Sequence, residues 1–442
     1  MLGQLLFLFL FSGAPEIPDA VKEYVRQRVE YGYEPSIAIG MVSPEGTTVF
    51  AFGLQEEGKP RVDEKTVYEI GSISKVFTAT LLVDAVKQGL VELDAPIDRY
   101  LPDGVKAPSR DGKSITLRHL ATHTSALPRL PDNLKPQDET NPYADYSFEQ
   151  LYDFLGRVEL GREIGAQYEY SNLGMGLLGH ILELVSGKSY ETLVRERIAE
   201  PLGMTDTVIR FREDQSARIA PGHNMDGEKV SNWDIPTLAG AGALRATVAD
   251  MLLFLKANLG LVDLPLKEVV AETHAERHHV SDDMQIGLAW HIRKRDGQRI
   301  VWHNGGTGGY RSYCGFDPEA KLGAVVLTNS TFGADDLGIH LLDPNHPLPP
   351  VRRAIALDTE AADQLVGTYI GSGPALTVSR NGNALYVQRF GRSTNRVFPM
   401  AEDKFFYKIA DILLSFERDD NGKVTGAVFE VSGAKTQYAR QP

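Results

Sequence analysis

The sequence predicts an α+β protein, and three observations carry that reading. Strand-like segments occur early, in PSIAIGMVSPEGTTVFAFG (35–53), and again in QRIVWHNGGTGGYRSYCGFDPEAKLGAVVLTNS (298–330). The stretch between them is mostly helical in pattern, so a sheet whose N-terminal and C-terminal strands flank a helical insertion accounts for the order. Beyond about residue 360 the pattern changes to short strands with tight turns, which reads as a second, small antiparallel β domain.

The elements follow in order. Pro44, Glu45 and Gly46 mark the turn of an early hairpin. From Ser72 to Leu90, Ile73, Val76, Phe77, Thr80, Leu81, Val83 and Val86 fall at helical spacing, Asp84 interrupts the stripe, and Gly89 lies near the end. PRLPDNLKPQDETNPYADYSF (128–148) is polar, dotted with proline and too long for a plain connector, so it reads as a surface loop beside something functional. YSNLGMGLLGHILELVSG (170–187) is a loop running into a helix that stops at Gly187. Three strands follow between 298 and 330, the last two joined by a turn at Asp317 to Lys321. With four prolines in seven positions, DPNHPLPPVRRAIALD (343–358) reads as a linker into one short helix. Turns at Asn381-Gly382 and Asn421-Gly422 then punctuate the strands of the tail.

A chain of 442 residues, 42% of them hydrophobic, can bury more than one core. Its formal net charge of -13, with no basic cluster to offset it, argues against nucleic acid as a partner. Cys314 is the only cysteine, so an intrachain disulfide is excluded and the thiol reads as a packed core side chain. The N-terminus, MLGQLLFLFLFSGAPEIPDA, carries a short apolar stretch followed by Ser12, Gly13 and Ala14, which predicts export. The competing reading is an apolar segment that packs on a cytoplasmic protein, since no basic residue precedes the stretch. Nothing approaches the ~20 apolar residues of a membrane span.

Three motifs carry chemistry. In GSISK (71–75), Ser72 and Lys75 stand three apart at a helix start, where one face holds both and the terminal amides stabilise negative charge. Spacing alone does not select this pair, because Ser432 and Lys435 repeat it in the tail; Lys75 could equally be a solvated helix lysine. YSN is the only Tyr-x-Asn in the chain: Tyr170 could shuttle a proton beside a lysine, and Asn172 could offer an amide to substrate. The competing reading is a packed tyrosine and an asparagine that caps the helix beginning near Leu173. In HNGGTGGY (303–310), glycines at a strand end let a substrate backbone approach, and one amide there could complete an oxyanion hole with that of Ser72. Alternatively it is a glycine-rich bend with a surface histidine.

Together, in this order, the three motifs resemble the serine penicillin-recognising hydrolases: class C β-lactamases, D-Ala-D-Ala carboxypeptidases, D-aminopeptidases and related esterases and acyltransferases. LRHLATHTSALP, IAEPLGMTDT and AGALRATVADM are looser stretches of the same likeness, which covers roughly residues 20 to 335. The resemblance implies a β-lactamase/transpeptidase-like antiparallel sheet with a helical insertion over 15–342. It is preceded by a candidate signal peptide at 1–14 and followed by the linker and short helix at 343–358. The β domain at 359–442 is similar to the lipocalin-like barrels attached to some relatives. By resemblance, Ser72 is the acylated nucleophile and Lys75 with Tyr170 activates it and the deacylating water. Asn172 holds substrate, His303 tunes Tyr170 and contacts the leaving or carboxylate side, and the amides of Ser72 and Gly306 bind the oxyanion. Gly305 and Thr307 complete the substrate-binding strand.

The chain departs from the family's β-lactamases by placing histidine, largely neutral above about pH 6.5, where they carry lysine. No arginine follows the last strand, in TNSTFGADDLGIHLLD. Carboxylate recognition is thus expected to be weak or pH-dependent, which favours an esterase, amidase or peptidase acting on a small ester, amide or peptide-like substrate. An acyltransferase using the same residues, with an acceptor pocket near 129–148 or in GHNMDGEKVSNWDIP (222–236), is the alternative, and a binding protein that has kept the fold is a third. No cofactor is expected. His274 and His278 in THAERHH lack a third ligand and read as solvated, and Ile70 and Ser74 stand where a Gly-x-Ser-x-Gly elbow needs glycine.

Overall fold

The computed structural model describes residues 13–442, so the apolar segment at the extreme N-terminus lies outside the described residues. The chain divides into two units: residues up to Lys22 with Glu34–Asn224 and Lys229–His346, and Glu23–Tyr33 with Met225–Glu228 and Pro347–Pro442.

The first unit is organised by an eight-stranded antiparallel sheet. Its strands are β1 (Ser36–Ser43), β2 (Gly46–Gly53), β3 (His278–Ser281), β4 (Met284–Ile286), β5 (His291–Arg295), β6 (Gln298–Gly306), β7 (Arg311–Asp317) and β8 (Leu322–Thr328), in the spatial order β2-β1-β8-β7-β6-β5-β4-β3. The N-terminal hairpin therefore pairs with the last strand of the unit, Ile37 opposite Thr328 and Val42 opposite Gly323, and the helical region is inserted between them. Every residue of β1 is buried, and helix α3 (Val248–Asn258) covers the face that carries Gly40. Gly40 makes the approach possible, since a Cβ there would stand 2.6 Å from the Val248 side chain.

Two helices of the insertion position the chemistry. In α1 (Ser74–Lys87), eleven residues from Ser74 to Ala85 are buried, including Lys75, so this helix runs through the core instead of presenting one stripe. It ends with Gly89 at φ +72°. Helix α2 (Asn172–Ser186) ends at Gly187, whose φ of +68° supplies the left-handed cap. Gly179 meets Gly240 nearly backbone to backbone, since a Cβ on Gly179 would lie only 2.9 Å from the Gly240 Cα, and this brings residues 239–241 against α2.

In the second unit, eight antiparallel strands from Gly367–Gly371 to Ala434–Arg440 form a closed barrel. Tyr369, Phe405, Phe416, Phe429 and Tyr438 fill it, as an eight-stranded barrel of short strands allows. Residues 351–358 carry no regular structure, and the short helix expected within the linker lies just beyond it, at Thr359–Leu365. The physical reason is the cap: the Asp358 side chain accepts the Glu360 amide and starts the helix there, while the preceding prolines lack amide donors. Among the described residues, no helix is long and apolar enough to cross a membrane.

Candidate active site

The chain passes from a buried two-residue strand, Tyr68–Glu69, into one 3₁₀ turn, Gly71–Ile73, and then into α1. That turn carries Ser72. Gly71 has φ +50°, and a Cβ on it would lie 2.7 Å from the Gly306 amide nitrogen. On β6 itself, a Cβ at Gly305 would come within 1.9 Å of the Ile70 carbonyl oxygen, which also accepts the Ser312 hydroxyl at 2.9 Å. The glycines at 71, 305 and 306 thus let the end of β6 lie against the turn that carries Ser72, and this contact brings the Gly306 amide close to that turn.

Lys75 Nζ stands 3.0 Å from Ser72 Oγ and donates to the Ala241 carbonyl at 2.6 Å. The side chain is fully buried, and no carboxylate pairs with it among the described residues. Burial pushes its ammonium form well below the ordinary lysine range, and the nearby Arg129 charge pushes the same way. A neutral amine that donates one N–H to Ala241 keeps its lone pair for the serine proton. Lys75 is therefore not a solvated lysine. The competing pair separates from it at once: Ser432 sits in a turn at φ +48°, and Lys435 is exposed beside Glu430 at 3.8 Å.

Tyr170 lies across from Lys75, whose Nζ is 4.8 Å from the centre of its ring. Burial raises the phenol above its usual range, and the Ser72 hydroxyl and Arg129 oppose that only in part. Ser171, not Asn172, caps α2: its hydroxyl accepts the Gly174 amide at 2.9 Å and donates to the Pro128 carbonyl at 2.7 Å. That frees the Asn172 side chain, whose Nδ2 donates to Tyr143 at 3.3 Å and whose buried Oδ1 has no partner. The backbone of YSN is held by the preceding loop, with the Ser171 amide on His123 Nδ1 at 3.1 Å and the Asn172 amide on the Arg129 carbonyl at 3.0 Å. In that loop His123 (φ +57°) and Ala126 (φ +64°) both adopt the left-handed region without being glycine, a conformation that the surrounding contacts must impose.

His303 is fully buried and does not lie on the surface. Alternation along β6 puts it on the same face as Gly305, 6.1 Å ring to ring from Tyr170, while Asn304 faces the other way and donates to Asp335 at 2.6 Å. Its Nδ1 lies 2.6 Å from the Asn304 carbonyl, so Nδ1 holds the ring proton and Nε2 keeps an unpartnered lone pair. Burial, then the neighbouring His291 and Lys75, push this imidazole well below its usual range. The expected titration of His303 near neutrality does not follow, because desolvation keeps the ring neutral.

Two further imidazoles wall the tyrosine. His123 packs 4.5 Å from the Tyr170 ring, and His291, pushed down to about 4 by burial and Lys75, packs 6.4 Å away and bonds the Tyr168 hydroxyl at 2.9 Å. Among the described residues, no group of three or more His, Cys, Asp or Glu side chains is arranged to hold a metal ion. His274 and His278 do not share a helical face, since the helix there ends at Thr273 and His278 belongs to β3. His274 is packed edge-on against Phe316, 5.1 Å away, instead of being solvated.

A small cleft opens over these groups, lined by Ser72, Asn172, Gly306 and Thr307 with Tyr143, Trp233 and Ile235. Lys75, Tyr170, His303 and Gly305 lie behind or beside this lining. Tyr143 comes from the long polar loop and Trp233 from the 222–236 segment, and their rings meet at 5.4 Å. Trp233 is pinned from behind: Glu69 Oε1 accepts its amide at 2.9 Å, and Arg245 donates to its carbonyl at 2.9 Å. Sequence reasoning placed both segments near an acceptor pocket but singled out neither aromatic, nor His123, His291 or Tyr168. HTSALP was the available signal for His123, while His291 lies in a strand with no distinguishing pattern.

A family model described as Beta-lactamase matches residues 21–342. Among curated proteins, the D-alanyl-D-alanine-carboxypeptidase/endopeptidase AmpH of Escherichia coli (strain K12) is 28% identical over 374 residues, spanning 76% of this chain and 92% of the relative. Among solved structures, a class C beta lactamase from Rhodobacter sphaeroides superposes with a TM-score of 0.63 at 25% identity, covering 72% of this chain and 96% of its own. The octameric penicillin-binding protein homologue from Pyrococcus abyssi shares the fold over 95% of this chain and 99% of its own, with a TM-score of 0.65 at 24% identity.

Proposed function

Because this chain belongs to the Beta-lactamase family, whose members named above include a carboxypeptidase and a β-lactamase, we propose that it is a serine hydrolase working through an acyl-enzyme at Ser72. The observation that carries the reading is Lys75: a buried amine with no carboxylate partner, 3.0 Å from the serine oxygen. Such a group is a base at neutral pH, and the phenol of Tyr170, shifted the opposite way by burial, is an acid.

In this scheme Ser72 Oγ forms a bond to the substrate carbonyl carbon as Lys75 takes its proton. The amides of Ser72 and Gly306 receive the oxyanion. Tyr170 protonates the leaving nitrogen or oxygen as its bond to carbon breaks, and Lys75 returns a proton to the phenol. Water then repeats the sequence against the acyl group and releases the acid, restoring Ser72. Asn172 orients the substrate amide or ester through its unpartnered Oδ1, and Gly305 and Thr307 shape the strand edge along which the substrate lies. His303 acts as a neutral neighbour of Tyr170.

The substrate we favour is an ester or peptide-like amide whose acyl portion packs on Tyr143, Trp233 and Ile235, in preference to a penicillin. The support is that β6 presents a buried neutral imidazole where a cation would be needed for a lactam carboxylate. Intact mass after brief exposure to a chromogenic short-chain ester and, separately, a penicillin tests this. A transient adduct or turnover that vanishes in Ser72→Ala is expected, with the ester faster; turnover that survives Ser72→Ala would overturn the assignment.

A further inference from the structure

We propose that Glu69 is a positioning residue that governs which acyl groups the cleft accepts, by holding Trp233 in a fixed relation to Ser72. The inference rests on the acyl-enzyme reading at Ser72 and on packing of the acyl portion against Trp233. It assigns the discrimination between bulky and short acyl groups to a carboxylate behind the cleft wall.

Glu69 ends the buried two-residue strand that leads into the turn carrying Ser72, three residues ahead of the serine. Its side chain is buried and does not line the cleft. Instead one oxygen, Oε1, accepts the Trp233 amide at 2.9 Å, the Asn232 side-chain amide at 2.9 Å and Arg245 Nη2 at 3.4 Å. Three donors converging on one oxygen, a guanidinium among them, suit an ionised carboxylate. Residues 230–235 form neither helix nor strand, and both backbone groups of Trp233 are satisfied by side chains: its amide by Glu69, its carbonyl by Arg245 at 2.9 Å. The place of the ring in the wall therefore depends on this pair.

The pair is anchored to the catalytic groups. Glu69 and Arg245 face each other across a two-stranded ladder, with Tyr68 opposite Ala246, and the segment entering that ladder carries the Ala241 carbonyl that holds Lys75. On the other side, Asn232 also donates to the Tyr310 hydroxyl at 3.0 Å, which in turn donates to the Ala220 carbonyl at 2.8 Å. The Trp233 ring itself lies on the turn after β6, since a Cβ at Gly308 would stand 2.8 Å from its Nε1. Glu69 thus ties the wall to the backbone that carries Ser72. An acyl group bonded to Ser72 and packed on Trp233 spans the same two ends through the cleft, so a bulky one depends on that spacing more than a short one does.

The experiment measures kcat/KM for p-nitrophenyl phenylacetate and p-nitrophenyl acetate and takes their ratio, in which a general effect on Ser72, Lys75 or Tyr170 cancels. Glu69→Met removes the acceptor at similar side-chain length, and Arg245 keeps Asp234 at 3.6 Å as a counter-charge. The ratio is expected to fall about tenfold in Glu69→Met and to return to within about threefold of the parent in Glu69→Gln, which keeps an acceptor oxygen. In a Trp233→Ala background, Glu69→Met should leave the ratio where Trp233→Ala puts it, because the two act through one wall. A parental ratio in Glu69→Met, or a fall that persists in the Trp233→Ala background, overturns the proposal. Should Glu69→Met fail to fold, Asn232→Ala removes one of the three bonds without stranding a charge; it should lower the ratio about threefold, and a parental ratio there overturns the proposal equally. The underlying reading is checked apart from this: an unchanged ratio in Trp233→Ala alone would mean that the acyl portion does not pack on this ring, and turnover surviving Ser72→Ala would remove the acyl-enzyme.

Discussion

Substituting Gly71 by alanine isolates the contact that aligns the two amides proposed for the oxyanion. A Cβ at this position would stand 2.7 Å from the Gly306 nitrogen and 3.0 Å from its oxygen. Ordinary contact begins near 3.4 Å, so the nucleophile turn and β6 must separate by about 0.7 Å. The backbone at φ +50° also disfavours alanine, by about 1–2 kcal/mol. Gly89→Ala is the control, because it has φ +72° but nothing within 4 Å of its Cβ, so it carries the conformational cost without the displacement. Displacing an oxyanion donor costs about 10²–10³ in rate, and misplacement of this size at a reacting centre has effects of similar order. Ester kcat/KM should therefore fall by about 10²-fold or more in Gly71→Ala and stay near parental in Gly89→Ala, while thermal melts show modest losses for both. Parental kcat/KM in a folded Gly71→Ala protein would refute the alignment of Ser72 and Gly306 as the oxyanion site.

Two other perturbations test the site's supports. In Lys75→Met, activity should vanish, while the stability difference from the parent depends on pH in a determined direction. Between the depressed folded value of Lys75 and its ordinary 10.5, the unfolded chain holds a proton that the folded chain lacks. Parental stability must then rise with pH by up to about 1.4 kcal/mol per unit, so denaturant melts should show Lys75→Met gaining on the parent as pH falls from 10 to 7. A constant difference across that range would mean that Lys75 is charged in the fold. For Ser171→Ala, loss of the cap to Gly174 and of the bond to Pro128 should cost about 1–2 kcal/mol in chemical denaturation. No loss would show that Asn172 can take over the cap.

Much of this arrangement was legible because local chemistry and global fold agree. The hairpin turn at Pro44-Glu45-Gly46, the stop at Gly187 and the strands flanking the Asp317–Lys321 turn each follow from residues acting on their own backbone. Ser72, Lys75, Tyr170, Asn172, Gly306 and Thr307 are also brought to one place, though their distance in sequence meant that only motif order could suggest it. What sequence could not reveal was burial. For His303 the competing reading is a surface histidine on a glycine bend, and burial with alternation along β6 sets it aside by putting the ring 6.1 Å from that of Tyr170. Likewise the capping role went to Ser171, because the Pro128 carbonyl holds its hydroxyl in place, and nothing in YSN distinguishes a serine so held from an asparagine. Trp233 and Tyr143 come from loops without periodic pattern, and only Glu69 and Arg245, both buried, with Glu69 far away in sequence, fix the tryptophan in the cleft wall.

The electrostatic logic of the site follows from that burial. Lys75 and Tyr170 adjoin the serine and three imidazoles wall the tyrosine, and desolvation drives each of the five toward its uncharged form: Lys75, His123, His291 and His303 lose protons, and Tyr170 keeps its own. A catalytic lysine beside three charged imidazoles would have its own proton repelled, but it would also face a substrate carbonyl across a strongly positive field. Keeping the rings neutral leaves Lys75 as a base on account of burial, and leaves transient charge, the oxyanion and the lysine ammonium, as the main charges that appear during the reaction. Preorganised amides then act on the oxyanion, with the Arg129 guanidinium over the Tyr170 ring as a fixed charge nearby. The consequence is that removing a single imidazole by His303→Ala should change the rate chiefly through packing around Tyr170, so kcat falls by a similar factor at pH 6 and pH 8. A pH-rate profile whose acid limb shifts in His303→Ala would show instead that this ring carries a proton in the working range.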